Sequence, residues 1–134
     1  MKKFVAIVIA VLSLLILGGC ATVSTLPSVD VSKMPNKTLT GAEIDAAVRG
    51  KQMMGNVTLA SGHVVKSVVY VFEADGKIYG TNPNDWDKGN WRTDYSTNSI
   101  CNTWTRWLSS CAVASVREGK LRLFNPVSGG TYQQ

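Results

Sequence analysis

Few residues in this 134-residue chain combine a chemical type with a spacing that could carry a reaction. Its single histidine, His63, directly follows Ser61-Gly62, a turn sequence. A catalytic nucleophile needs a base within hydrogen-bond reach and a third group to orient that base. Nothing near His63 or any serine resembles a nucleophile elbow, so His63 reads as an exposed turn residue. Asp85, Asp87 and Asp94 are close in sequence, and paired acids are the usual means of glycoside cleavage. That chemistry requires two carboxyls at a controlled separation, one of them in an apolar pocket. The polar run Asn82-Pro83-Asn84-Asp85-Trp86-Asp87-Lys88-Gly89-Asn90 reads instead as a long solvated loop. Asp85, Asp87 and Gly89 also suit the start of a calcium loop, but Ser96 stands where its twelfth-position glutamate belongs. No catalytic, cofactor-binding or metal-ligating residue is assigned.

The N-terminus carries the most specific signal. Lys2 and Lys3 precede an apolar run from Phe4 to Leu17, followed by Gly18-Gly19-Cys20. A charged start, a short apolar stretch and small residues at its end define a signal peptide over 1–19. A membrane-spanning helix would need about 20 apolar residues. Leu17-Gly18-Gly19-Cys20 resembles the lipobox of bacterial lipoprotein precursors. The resemblance implies cleavage before Cys20, a diacylglycerol on its thiol and a third acyl chain on its amine. Each buried methylene adds about 0.8 kcal/mol of membrane affinity, so such an anchor holds firmly. Ala21, rather than aspartate, follows Cys20. By the same resemblance the address is the periplasmic face of the outer membrane, with the inner membrane as the alternative. An uncleaved N-terminal anchor would equally place the rest of the chain outside the cytoplasm.

With Cys20 taken by lipid, the resemblance leaves Cys101 and Cys111 as a pair, and a disulfide suits an oxidising compartment. Two cysteines with His63 alone fall short of any usual zinc spacing. The formal charge is +5, and loss of Lys2 and Lys3 leaves 12 basic residues against 9 acidic ones, well scattered. No basic run marks a nucleic-acid surface.

Residues 20–38 are rich in Ser, Thr and Pro and read as the lipidated cysteine and a flexible tether. A single α+β domain is expected over 39–126, then a frayed tail over 127–134. Thr40 and Glu43 have capping-box spacing, and Leu39 and Ile44 stand at the staple positions, which predicts a helix over 41–49. Beyond Gly50 the period becomes strand-like, with candidate strands at 53–59, 64–73, 77–81, 91–95, 99–106, 111–117 and 120–125. Asp75-Gly76 and Glu118-Gly119 mark hairpin turns. Val68, Tyr70 and Phe72 share one face of the strongest strand and Val69 and Val71 the other, so a central strand covered by the helix is expected. The fold class is thus a short helix packed on an antiparallel sheet, or on a partly closed small barrel, of about six or seven strands.

The span from Leu39 to about Asn125 resembles a family of small exported bacterial domains of unknown function. The matching points are Leu39-Thr40-Gly41-Ala42-Glu43-Ile44, Gly50, Asp75-Gly76, Gly89-Asn90-Trp91-Arg92, Cys101 to Trp104, and Cys111. The expected glycine turn between Trp91 and Cys101 is lacking. This resemblance implies no activity. Gly89-Asn90-Trp91 also resembles the G-x-W of lipocalin-type barrels, in which the tryptophan packs near an arginine at the closed end. The domain is expected to be too short for a full eight-stranded ligand barrel.

All four tryptophans, Trp86, Trp91, Trp104 and Trp107, fall in one stretch interleaved with Arg92 and Arg106. On an alternating strand Trp104 and Trp107 take opposite faces, so they cannot all be core. Tryptophan beside arginine is the composition of many contact surfaces. Trp86, Arg106 and Trp107 are therefore the candidate contact for an envelope protein or a cell-wall glycan. The other reading has Trp91 and Trp104 filling the core while Trp86 and Trp107 cover the disulfide. The expected role is a non-enzymatic binding module. A small peptidoglycan-acting hydrolase and an inhibitor of a lytic enzyme are the alternatives.

Overall fold

A computed structural model describes residues 29–134. The expected signal peptide and lipobox, with Cys20, lie outside the described residues. The one α-helix among them, α1 (Gly41–Val48), begins as its residues dictate. Thr40 Oγ1 accepts the Glu43 amide at 3.4 Å, and Glu43 Oε2 accepts the Thr40 amide at 2.9 Å. Leu39 and Ile44 are both buried. The helix stops one residue before the expected end, because Arg49 is its C-cap and Gly50 turns the chain at φ +70°.

Nine strands follow the order of the chain: β1 (Lys37–Thr38), β2 (Lys51–Thr58), β3 (Val64–Phe72), β4 (Lys77–Asn82), β5 (Asp85–Asp94), β6 (Ser99–Trp104), β7 (Ser110–Arg117), β8 (Lys120–Phe124) and β9 (Thr131–Gln133). From β2 onward each strand pairs antiparallel with the next, and β9 pairs back onto β2. The result is a closed up-and-down barrel of eight strands, with β1 added beside β7.

Four sequence expectations are corrected here. The barrel closes fully on eight strands instead of stopping at six or seven, because several of its strands are short and its hairpin turns are tight. The tail is not frayed: Thr131–Gln133 pairs with β2 on one side and β8 on the other, and Tyr132 is buried. Closure satisfies backbone groups that an open edge would leave bare. The long polar loop shrinks to a turn between Asn82 and Asp85, since Asn82 Oδ1 accepts the amides of Asn84 and Asp85 and β5 then starts. The described part of the expected tether is ordered. Asp30 caps a 3-10 turn at Val31–Lys33, Val31 and Met34 pack on the core, and Lys37–Thr38 pairs with Ser115 and Val116.

The two ends of the barrel differ. The β3–β4, β5–β6 and β7–β8 turns and α1 gather at one end. There α1 plugs the barrel rather than covering a face of β3, through Leu39, Ile44, Ala47 and Val48 in contact with a core that includes Phe72, Trp91 and Ile100. Trp91 donates its indole N–H to the Glu73 carbonyl at 2.9 Å. The Arg49 guanidinium lies 4.9 Å from the Trp91 ring and is held by buried Asp45 at 2.9 and 2.6 Å. At the other end only the β2–β3, β4–β5, β6–β7 and β8–β9 turns surround the opening.

Candidate functional site: the open mouth of the barrel

Two aspartates on β5 organise the mouth. Asp87 is 2% exposed and aims its carboxylate at the β6–β7 turn. Its Oδ2 accepts the backbone amides of Arg106 and Trp107 at 2.8 and 2.7 Å, and its Oδ1 accepts its neighbour Lys88 at 2.8 Å. Burial pushes this carboxyl upward, but the three amides outweigh it and hold the pKa below the ordinary value. Asp85, at the rim, accepts the Trp107 indole N–H at 2.9 Å and Arg106 Nη2 at 2.8 Å. These bonds, with the Trp86 amide, hold the Asp85 carboxyl down at about 2. Arg106 also donates to the Trp86 carbonyl and lies 5.9 Å from the Trp86 ring. Trp86 itself is 59% exposed.

The structure thus brings Trp86, Arg106 and Trp107 into one cluster. It does so in a way that alternation along a strand does not anticipate. The strand expected over 99–106 ends at Trp104, because Asp87 gathers the next amides into a turn and Ser109 Oγ accepts the Trp104 amide at 3.0 Å. Trp107 is therefore not opposite Trp104. The two rings pack at 5.1 Å over Gly80, where they leave no room for a Cβ. Trp86 and Trp107 do not cover the disulfide, while Trp91 does fill the core and Trp104 is half-buried against it.

Below Trp107 the barrel holds a cavity of about 220 Å³ walled by Tyr70, Trp104, Trp107, Leu123 and Tyr132. Tyr70 stands 5.8 Å from Trp104 and 5.2 Å from Tyr132, ring to ring. None of the lining residues carries a charge. Burial raises the Tyr70 hydroxyl to about 12 and pushes Tyr132 up further, so both stay neutral at physiological pH. Two of the lining residues carry a polar atom, Asn102 Oδ1 and the Tyr132 hydroxyl, that is buried without a hydrogen-bond partner among the described residues. Native interiors rarely leave such atoms unmatched, because each costs about 1–3 kcal/mol.

The remaining sequence candidates are dispersed. Asp94 ends β5, about 30 Å of strand away from Asp85. It accepts Ser96 and Thr97 in its own turn. Asp94 is therefore separated from Asp85 and Asp87, which meet at the mouth around Trp107. His63 is exposed on the β2–β3 turn. Cys101 and Cys111 face each other across β6 and β7 and are disulfide-bonded. Sequence reasoning missed Asn102 and Tyr132. A signal for the first did exist, since Asn102 occupies an inward position between Ile100 and Trp104 on an alternating strand.

Fold and site together define a closed antiparallel barrel, plugged by a helix at one end and open at the other over an aromatic cavity. Comparison with protein-family models, curated proteins and solved structures finds no match. The resemblance to small exported domains accordingly rests on its motifs alone.

Proposed function

We propose that the protein is a lipid-anchored envelope lipoprotein whose barrel mouth serves as a non-enzymatic binding surface. The observation that carries this reading is the rim cluster. Trp86 projects into solvent while Arg106 and Trp107 are fixed behind it by Asp85 and Asp87. A large apolar ring beside an immobilised arginine loses little side-chain freedom on contact, which is the property of binding hot spots. The lipobox reading supplies the anchor. The described chain begins at the plugged end, where the Val29 amide donates to Ala46 and the Val29 carbonyl accepts Lys51. Cys20 to Val29 can reach about 30 Å at full stretch. An anchor on Cys20 therefore draws the plugged end toward the membrane and turns the mouth away from it, toward the wall and the periplasm.

A wall-acting hydrolase fits less well. Asp85 and Asp87 are held ionised by their hydrogen bonds, whereas a general acid must keep its proton near neutral pH. The proposal is tested by labelled palmitate, which enters the wild type and not Cys20→Ser. Trp86→Ala, with an unchanged melting temperature, weakens retention on purified envelope components. Equal retention by wild type and variant would contradict the rim assignment.

A further inference from the structure

We infer that the cavity beneath Trp107 is a binding site for a small neutral ring bearing a hydroxyl or N–H donor, of the size of a substituted phenol. The inference deepens the binding reading and shares only the Trp107 ring with the rim cluster; its other residues, Tyr70, Asn102, Trp104 and Tyr132, are separate from it. Size sets the first limit: a 150 Å³ apolar cavity accepts benzene. The 220 Å³ here therefore admits one ring and a small substituent. The walls set the second. Tyr70, Trp104, Trp107 and Tyr132 offer ring faces and edges at mutual centroid distances of 5.1 to 5.8 Å, the spacing at which aromatic groups attract.

Charge sets the third limit, because an ion entering an uncharged aromatic wall would lose its hydration with no counter-charge in return. The polar atoms then select the substituent. Asn102 Oδ1 can only accept, so a ligand group that reaches it has to be a donor. The Tyr132 hydroxyl, on a residue only 4% exposed, can donate or accept. A ligand hydroxyl suits either atom. Trp107, on the β6–β7 turn and held by Asp85, forms part of the cavity wall at the mouth.

The test is an NMR titration of the full-length protein in lipid nanodiscs with p-cresol, toluene, benzoate and N-acetylglucosamine. The observed signals are the Asn102 side-chain amide and the Trp104 and Trp107 indole N–H groups, with the Trp91 indole N–H at the plugged end as the control. We expect p-cresol to move the Asn102 and Trp107 signals saturably and to bind more tightly than toluene, while benzoate does neither. Tyr132→Phe should cut p-cresol affinity by about five- to tenfold, the worth of one hydrogen bond, and leave toluene affinity unchanged. Ala112→Leu, which intrudes on the cavity, should abolish both. If Ala112→Leu does not fold, Tyr132→Phe decides alone. Trp86→Ala should leave p-cresol binding intact even where it abolishes envelope retention, which separates the two sites. Three results would overturn the inference: cavity signals that p-cresol leaves unmoved, an unchanged preference for p-cresol over toluene in Tyr132→Phe, or tighter binding of N-acetylglucosamine than of p-cresol.

Discussion

Asp85 accepts the indole N–H of Trp107 at 2.9 Å, and this bond fixes the ring over the barrel mouth. The same carboxylate holds Arg106 at 2.8 Å, so one rim acid sets the position of two of the three residues in the contact cluster. Its carboxyl is held down at about 2 by those partners. A carboxyl lowered in the folded state contributes above its ordinary range and loses that contribution as the pH falls through the folded value. The Trp107 indole N–H signal should therefore stay constant from neutral pH to about pH 3 and shift with a midpoint of about 2. Asp85→Asn should remove the transition and leave the melting temperature nearly unchanged, because the site is at the exposed rim. A shift centred near pH 4 would show that the latch is not made in solution.

Closure by β9 predicts an effect out of proportion to its three residues. Tyr132 packs on Tyr70 at 5.2 Å, and its strand joins β2 to β8. Deleting residues 131–134 should open the barrel along that seam, with loss of a cooperative thermal transition. Replacing Tyr132 by Ala should cost about 3–5 kcal/mol, the usual penalty for emptying a buried aromatic position. A truncated protein that melts like the wild type would mean that the tail is dispensable and the barrel open.

The Cys101–Cys111 bridge links neighbouring strands over a sequence separation of 10. A loop of that length adds about 2.5–3 kcal/mol by restricting the unfolded chain. The double variant Cys101→Ser with Cys111→Ser should unfold at lower denaturant with the fold retained. Reduction of the wild type should match it. An unchanged midpoint would place the stabilisation elsewhere.

Local chemistry was legible in the sequence, and closure was not. Thr40 and Glu43 form the expected capping box, and Asp75-Gly76 and Glu118-Gly119 make the expected hairpins. Each is decided within a few residues. Tyr132 follows Gly129-Gly130 in a short polar tail, and only pairing with strands far away in the chain makes it a strand. Trp107 was assigned to the wrong face because the end of β6 is set by Asp87, on a neighbouring strand. Gly89 could have warned of that closeness. The Thr103 backbone lies where its Cβ would be, so only glycine lets β5 and β6 approach there. The cavity had no local signal, since Tyr70, Asn102 and Tyr132 meet only when eight strands close.

The central claim is that the mouth, and not the plugged end, is the binding surface. Site-specific photo-crosslinking in intact cells tests it most directly, with the photoreactive residue placed at Trp86 on the rim or at Tyr95 on the plugged end, both 59% exposed. The account predicts a discrete adduct with an envelope component from position 86, removed by Arg106→Ala, and none from position 95. Adducts from position 95 alone would contradict it.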